Sequence, residues 1–212
     1  RIRFMTSHPK DLSERVIAAM ASLPNVCHHV HLPLQSGSNE ILRRMNRKYT
    51  REQYLDIVKK LRDAMDDVEI TTDIIVGFPG ETEQAFSDTL ALVEEVGFAS
   101  AFTFKYSPRK GTRAAEYPDQ VPEAVKRERL CVLNELQERK SRENNEKYLG
   151  LTGVVHVEDC DERNEPVCYG KFPNFKMVYF PGGPELVGRY VRVRVKQVRK
   201  NSLSGEMEEN NL

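Results

Sequence analysis

Two segments of the sequence each predict a buried strand that runs into a glycine-bearing loop and then a helix: HLPLQSGS at residues 31–38 and TTDIIVGFPGET at residues 71–82. The apolar centre of the second segment is typical of a parallel strand covered on both faces. In open parallel α/β sheets, ligands bind where such strands end. The two segments therefore predict a ligand site spread over successive strand–helix units.

The first 107 residues alternate short apolar runs with stretches of helical periodicity. Thr50 and Gln53 form a capping-box pattern that opens one helix, and Thr82 and Gly97 bound the next. Strands are expected at residues 1–6, 26–34, 69–76 and 101–106. This alternation predicts right-handed crossovers and a parallel sheet, which places the first part of the chain in the α/β class.

The character of the sequence changes after a long charged helix expected from Pro122 to about Lys147. Short alternating runs split by Pro and Gly then predict five strands, at residues 151–157, 167–172, 176–180, 190–198 and 203–207. Such a pattern is typical of a small closed β-barrel. We therefore expect two domains, residues 1–147 and residues 148–212.

Composition excludes several classes of protein. Lys and Arg total 32, as do Asp and Glu, so a nucleic-acid surface would require local segregation of charge. A hydrophobic content of 39% is too high for a disordered chain. The sequence has neither a membrane-spanning apolar run nor a signal-peptide pattern, and we therefore expect no membrane partner and a cytoplasmic location.

The cysteines and histidines do not form a metal-binding motif. The four cysteines are scattered and include no CxxC or CxxxCxxC cluster. Cys160 and Cys168 could face each other across a hairpin, and in a reducing compartment free thiols are favoured over a disulfide. His28, His29 and His31 lack a third or fourth ligand nearby in sequence, which favours a packed or hydrogen-bonded role over metal binding.

Polar residues stand at the ends of the two strand segments. Gln35 and Ser36 suit a ribose or an amino-acid group. Asp73 can accept hydrogen bonds from a ribose diol, Ile75 can form an apolar wall, and Gly77 lets a planar ligand approach the backbone. A turn without a ligand explains these glycine-bearing loops equally well.

Basic residues follow two of the predicted strands. The stretch after the first segment contains Arg43, Arg44, Arg47 and Lys48. An arginine here could hold a carboxylate through two hydrogen bonds, although a run of charges is more often a solvated face. Arg109 and Arg113, in an irregular loop after the fourth strand, could contact phosphates or belong to an ordinary surface connection.

The clearest segregation of charge is in RYVRVRVKQVRK near the C-terminus, where valines alternate with basic residues. The outward-facing residues of this stretch, called the β-strand stripe below, are Tyr190, Arg192, Arg194 and Lys196. Cations beside an aromatic ring suit a phosphate backbone and unstacked bases. Charges that protect an edge strand from aggregation are an equally good interpretation.

Six strings resemble the radical S-adenosylmethionine (SAM) methylthiotransferases, in the order TSHP, HLPLQSGS, MNRKYTREQY, TTDIIVGFPGET, AFTFKYSPRKGT and DQVP. The resemblance covers nearly the whole chain and implies that it is the C-terminal portion of a longer protein. It implies the last parallel strands of a partial (βα) radical SAM barrel, followed by a small all-β, OB-like barrel of the TRAM type that binds RNA.

The resemblance also implies an activity for the intact protein. The expected enzyme is a transferase that adds a methylthio group to C2 of N6-isopentenyladenosine at position 37 of tRNA, with the anticodon stem-loop as its partner. Sister activities on threonylcarbamoyladenosine in tRNA or on a ribosomal protein are alternatives, as is a non-catalytic RNA-binding module. A monomer is expected, and the sulfur donor is unknown.

SAM and two 4Fe–4S clusters are the cofactors that the resemblance implies. The expected SAM contacts are Gln35, Ser36, Arg47, Asp73, Ile75 and Gly77. Gln35, Arg47 and Asp73 match the spacing of SAM-contacting residues in a wider relative, the oxygen-independent coproporphyrinogen oxidase. This match implies that Gln35 lies at the ribose or methionine end, Arg47 at the carboxylate and Asp73 at the ribose hydroxyls. Ile75 is expected to line the adenine. Because the cluster cysteines are absent, we expect no catalytic or metal-binding residue here and no activity of this chain alone.

Overall fold

Parallel strands with helices between them form the first part of the computed structural model, which describes residues 1–3, 9–163 and 165–208. The sheet has the order β1-β2-β3, with β1 at His29–His31, β2 at Glu69–Val76 and β3 at Ser100–Lys105. The helices are α1 (Glu14–Ser22), α2 (Asn39–Arg44), α3 (Arg51–Ala64), α4 (Glu83–Val96) and α5 (Glu123–Glu146). The predicted α/β class with parallel strands is confirmed.

Local sequence signals fix the ends of two central helices. At the start of α3, the Gln53 amide nitrogen donates to the Thr50 hydroxyl at 3.3 Å, and the Thr50 amide nitrogen donates to Gln53 Oε1 at 2.9 Å. Thr82 accepts from the Ala85 amide at 3.1 Å and begins α4. This helix ends at Gly97, whose φ of 58° is left-handed. All four residues act as predicted.

The two faces of the sheet differ in their surroundings. Alternate residues Ile70, Ile74 and Val76 of β2 are buried in the core beneath the helices. The register pairs Asp73 with Phe102 and Ile75 with Phe104 on the other face. We call this other side the open face; its residues are His29, His31, Thr71, Asp73, Ile75, Phe102 and Phe104. Phe102 and Phe104 remain 58% and 51% exposed, so this face retains an aromatic surface.

Five strands close the second part of the chain into a barrel with the order β4-β5-β6-β8-β7. They are β4 (Thr152–Asp161), β5 (Val167–Lys171), β6 (Met177–Pro181), β7 (Tyr190–Val198) and β8 (Leu203–Met207). Val155, Val178, Phe180, Val193 and Leu203 fill its core. The predicted small closed barrel is confirmed.

Two predicted strands near the N-terminus differ from the structure. The strand expected at residues 26–34 is regular only over His29–His31, because the pairing slips after Leu32: the Leu34 amide donates to the Thr72 hydroxyl, and the Gln35 amide donates to the Asp73 carbonyl. The strand expected at residues 1–6 is represented by one parallel bridge between Ile2 and Val26, and residues 4–8 lie outside the described residues. Within the described residues, no helix is both long and apolar enough to span a bilayer.

The expectation of free thiols in the barrel hairpin is wrong. Cys160 on β4 is the register partner of Cys168 on β5, with their Cα atoms 3.9 Å apart. The two sulfurs form a disulfide. Direct opposition across neighbouring strands brings them together, and sequence spacing could not decide this pairing.

A buried polar cluster joins the sheet to the barrel. The Glu69 carboxylate, at the start of β2, accepts hydrogen bonds from the Tyr148 hydroxyl at 2.5 Å and from Asn144 Nδ2 at 2.8 Å. Lys147 Nζ lies 2.9 Å and Lys176 Nζ 3.6 Å from its oxygens. Because Lys176 comes from the barrel, this carboxylate ties the second part of the chain to the foot of the sheet.

Candidate functional site

A cleft of about 1130 Å³ opens where β2 and β3 end, on the side of the open face. Its polar and aromatic lining includes Gln35, Arg47, Asp73, Phe78, Phe104, Tyr106, Arg109 and Arg113. Pockets for one small ligand usually measure about 300–1000 Å³. The cleft therefore has room for a small ligand together with part of a second molecule.

Gln35 enters the cleft from a strained backbone position. Its amide nitrogen donates to the Asp73 carbonyl at 2.7 Å, and its own carbonyl accepts from the Ile75 amide at 2.9 Å. The residue has a φ of 69°, which non-glycine residues seldom adopt. These two bonds hold the positive φ in place and form an isolated parallel bridge between Gln35 and Ile74 of β2, so Gln35 lies beside Asp73.

Asp73 is the carboxylate of the cleft. Its Oδ2 lies 3.3 Å from His31 Nε2, and its side chain is 29% exposed. Among the described residues, Oδ1 has no hydrogen-bond partner. A carboxylate with one oxygen held by a histidine and the other open to the cleft can accept a hydroxyl hydrogen from a ligand.

Three guanidinium groups in the cleft have no partner among the described residues. Within the described part of the chain, no hydrogen bond or ion pair engages the side chains of Arg47, Arg109 or Arg113. In contrast, Arg44 is held 2.7 Å from Asp119 and stacks over the Tyr117 ring at 5.0 Å. Unpaired arginines beside a single carboxylate favour anionic ligands such as carboxylates and phosphates.

The apolar wall of the cleft contains a polar atom without a partner. Ile75 and Phe104 are register partners, and Phe78 packs edge-on against Tyr106 with ring centroids 5.0 Å apart. The Tyr106 hydroxyl oxygen is buried and has no hydrogen-bond partner among the described residues. A buried hydroxyl of this kind is typical of a position that a ligand group completes.

Ser36 and Gly77 do not line the cleft. Ser36 is fully buried, with its Oγ 3.4 Å from the Thr89 hydroxyl of α4 and accepting from the Ser38 amide at 3.2 Å. Gly77, with a φ of 71°, donates its amide hydrogen to Glu81 at 2.8 Å. Both residues shape the loops behind the cleft, whereas Gln35, Arg47, Asp73 and Ile75 are brought together in it.

Sequence reasoning missed Tyr106 and Phe104 as cleft residues. The signal was present in AFTFKY, where aromatic residues recur at every second position and must share one face of a strand. Arg109 and Arg113 were predicted as RNA contacts, and the structure brings them into the same cleft as the expected SAM contacts.

The β-strand stripe has the predicted alternation, with exposed Tyr190, Arg192, Arg194 and Lys196 between buried valines. However, Lys196 Nζ lies 3.0 Å from Glu206 and Arg192 Nε lies 3.7 Å from Glu208, both on or just after β8. The Arg1 guanidinium covers Tyr190 at 5.0 Å. The stripe is therefore partly neutralised by its neighbouring strand, which the alternation alone could not indicate.

The residues present fit SAM and do not fit an iron–sulfur cluster. Arg47, which has no partner among the described residues, suits a carboxylate, and the unbonded Oδ1 of Asp73 suits a ribose hydroxyl. The Tyr106 hydroxyl, also without a partner there, suits a further polar group of the ligand. The four cysteines do not form a set of ligands for an iron–sulfur cluster, because Cys160 and Cys168 are bonded to each other, Cys27 is buried and Cys131 is exposed. No group of three or more metal-ligating side chains occurs among the residues that the structure describes.

Comparisons with protein families agree with the two-part architecture. Residues 1–93 match the Radical SAM superfamily, and residues 146–207 match the TRAM domain. Among solved structures, coproporphyrinogen III oxidase from Escherichia coli is similar with a TM-score of 0.52 at 11% identity, covering 92% of this chain and 49% of that one. This likeness supports the fold alone.

Curated relatives match over nearly all of the chain. A protein of Oceanobacillus iheyensis is 49% identical over 99% of this chain and 40% of its own length. A protein of Alkaliphilus oremlandii is 51% identical over 98% of this chain and 44% of its own length. Both are named tRNA-2-methylthio-N(6)-dimethylallyladenosine synthase. The chain thus spans less than half the length of these relatives.

Proposed function

We propose that this chain, whose residues 1–93 match the Radical SAM superfamily and whose residues 146–207 match the TRAM domain, is part of a tRNA methylthiotransferase. The proposed reaction adds a methylthio group to C2 of N6-isopentenyladenosine (the dimethylallyl nucleoside) at position 37 of tRNA. The names of relatives at about 50% identity support this choice over the threonylcarbamoyladenosine, ribosomal-protein and non-catalytic alternatives.

The cleft carries the cofactor part of the proposal, because it gathers unpartnered groups suited to SAM. Arg47 would hold the methionine carboxylate, Asp73 the ribose hydroxyls and Gln35 the ribose or methionine end. Ile75 would line the adenine, with Ser36 and Gly77 shaping the loops behind it. When bound, SAM supplies the radical-generating chemistry, while these residues orient it and exclude water.

We propose that iron–sulfur ligation lies in parts of the protein outside this chain, and that two clusters are involved. The four cysteines offer no ligand set. Iron–sulfur reconstitution of this polypeptide should therefore give no cluster absorbance and no SAM cleavage. Turnover by the 212-residue chain would contradict this assignment.

The RNA part of the proposal rests on two surfaces. Arg109 and Arg113, unpaired at the cleft, would contact phosphates of the anticodon stem-loop near the reacting base. The β-strand stripe would add contacts from a TRAM domain beginning near residue 148. Of its cations, Arg194 is the best candidate, since Arg192 and Lys196 are already engaged by acidic residues. We propose a cytoplasmic monomer.

Binding of S-adenosylhomocysteine, measured by isothermal titration calorimetry, tests the cofactor site without clusters. Arg47→Gln and Asp73→Asn should each weaken binding about tenfold, since each removes a charge-assisted hydrogen bond. Arg127→Gln, on the exposed side of α5, is the matched control and should bind as the unaltered chain does. Equal affinity of all variants would remove Arg47 and Asp73 from the site.

Nucleoside analysis of tRNA tests the proposed substrate. A strain without the gene should lose 2-methylthio-N6-isopentenyladenosine and retain N6-isopentenyladenosine. Loss of the methylthio derivative of threonylcarbamoyladenosine instead would support the sister activity, and an unchanged nucleoside profile would contradict a tRNA substrate.

A further inference from the structure

A chain of four side chains runs along the open face and ends at Asp73. His29 Nε2 lies 3.1 Å from the Thr71 hydroxyl oxygen, and the same oxygen lies 3.0 Å from His31 Nδ1. His31 Nε2 then lies 3.3 Å from Asp73 Oδ2. The two histidines are buried and belong to β1, while Thr71 and Asp73 belong to β2, so the chain crosses three times between these neighbouring strands.

The chemistry of these groups allows one arrangement of hydrogens when both imidazoles are neutral. An ionised carboxylate only accepts, so His31 Nε2 must donate to Asp73. His31 Nδ1 then accepts from the Thr71 hydroxyl, whose oxygen in turn accepts from His29 Nε2. Burial and the neighbouring His31 lower the pKa of His29 to about 4, so it stays neutral near pH 7.

The far end of this chain is held by the barrel. The His29 ring stacks on Phe175 with centroids 4.4 Å apart and planes at 16°. Phe175 follows β5 with a φ of 75°, and the Lys171 ammonium lies 4.7 Å from its ring centroid. Both ends are therefore anchored, at the barrel and at the cleft, and the hydrogen bonds between them have little freedom to rearrange.

We propose that His31 and Thr71 are positioning residues that hold the Asp73 carboxylate with Oδ2 bonded to His31 and Oδ1 turned to the ligand in the cleft. This inference rests on the proposed function, because it assumes that the ligand in the cleft is a nucleoside cofactor. Fixing the carboxylate before binding removes an ordering cost from the association, as outer-shell partners do at other sites. Neither residue is among those that line the cleft.

Nitrogen chemical shifts of the histidines test the arrangement without any ligand. In the ¹⁵N-labelled chain, the neutral form of His31 should carry its hydrogen at Nε2. Thr71→Val removes the hydroxyl with little change of shape. The Nε2–H form should persist, because Asp73 still accepts from it, but the Nδ1 resonance should shift as this nitrogen loses its donor, whereas Thr71→Ser should keep the Nδ1 resonance of the unaltered chain. His31 protonated at Nδ1 in the unaltered chain, or an Nδ1 resonance that Thr71→Val leaves unmoved, would overturn the proposal.

Affinity for S-adenosylhomocysteine tests the consequence. Thr71→Val should raise the Kd about three- to tenfold, and Thr71→Ser should stay within twofold of the unaltered chain. Thr103→Val is the matched control, because this hydroxyl on β3 bonds Asn134 of α5 and lies away from the open face. Its Kd should not change.

The Asp73→Asn background separates this inference from the proposed function. If Asp73→Asn weakens binding and Thr71→Val adds nothing in that background, the two act as one unit and the positioning role stands. If Thr71→Val weakens binding equally in both backgrounds, the role is overturned. If Asp73→Asn has no effect, or the chain does not bind the probe, the cofactor assignment fails, and the tautomer measurement alone decides whether Asp73 is held by His31.

Discussion

His29 is a single residue that should make the stability of the folded chain depend on pH. Its imidazole is buried between Thr71, Phe175 and His31, and this burial lowers its pKa from 6.5 to about 4. Of the charged groups that face it, Arg3 and Lys176 lower this pKa further, and Glu69 raises it by less than desolvation lowers it. Folding therefore excludes a proton that the unfolded chain binds readily below pH 6.5.

We expect acid to destabilise the chain through this residue. Between pH 6.5 and pH 4 the unfolded state binds more protons than the folded state, so the free energy of unfolding falls as pH falls. From pH 7 to pH 5 the share of His29 is about 2 kcal/mol. His29→Gln keeps a hydrogen-bond donor for Thr71. Its free energy of unfolding, measured by urea denaturation, should fall by about 2 kcal/mol less between pH 7 and pH 5 than that of the unaltered chain. Parallel pH profiles for the two proteins would contradict this reasoning.

The residues of the cleft were predictable to the extent that sheet topology determines position. Gln35 follows β1, and Asp73 and Ile75 lie in the second half of the neighbouring parallel strand β2, so their convergence follows from the strand assignments. Ser36 behaves differently because one step along the turn directs its side chain to α4 instead of the cleft. Pairing of Lys196 with Glu206 depends on the register of two barrel strands, which no local pattern encodes.

At the scale of elements, α5 supports the loop behind the cleft through a buried ion pair. Arg129 Nη1 lies 2.8 Å from Glu81 Oε1, and the same oxygen accepts the Gly77 amide hydrogen at 2.8 Å. The side chains of Glu81 and Arg129 are only 1% and 8% exposed, and burial raises the pKa of Glu81. The glycine loop is thus fastened to a helix about 50 residues later in the chain.

Arg129→Met should be strongly destabilising, because it leaves the Glu81 carboxylate buried and uncompensated. The expected loss in the free energy of unfolding is about 3–5 kcal/mol, measured by urea denaturation at pH 7. Adding Glu81→Gln should recover much of it, since the amide oxygen still accepts from Gly77 and no charge remains. Arg127→Met, on the solvent side of α5, is the control and should have little effect. A double variant no more stable than Arg129→Met would contradict the ion-pair explanation.

The elements themselves were largely predictable, since their signals are local. The capping box at Thr50 and the left-handed Gly97 end their helices as the sequence indicates. The regular part of β1 is shorter than its apolar run because the Leu34 amide donates to the Thr72 hydroxyl, which shifts the next backbone bond to Gln35. The parallel pairing of β6 with β8 joins segments about 25 residues apart, and it follows from closure of the barrel, beyond what any short window shows.

At the scale of the whole molecule, the docking of the barrel depends on Glu69. Its buried carboxylate compensates Lys176 from the barrel and Lys147 from the end of α5, and it accepts from the Tyr148 hydroxyl. Burial lowers the pKa of Lys176, and burial with the adjacent Glu69 raises that of Tyr148. Because His29 and Phe175 stack at the same junction, the position of the barrel is linked to the chain of hydrogen bonds that reaches the cleft.

Glu69→Gln should therefore loosen the barrel from the sheet. The amide keeps the size of the side chain but leaves Lys176 buried without its counter-charge, which costs about 3 kcal/mol in comparable buried pairs. In differential scanning calorimetry the single transition of the unaltered chain should broaden or separate into two, and Lys176→Met added to Glu69→Gln should restore it. Glu206→Gln, on the exposed barrel surface, should leave the transition unchanged. One sharp, unshifted transition for Glu69→Gln would mean that apolar contacts such as the His29–Phe175 stack hold the two parts together without the ion pair.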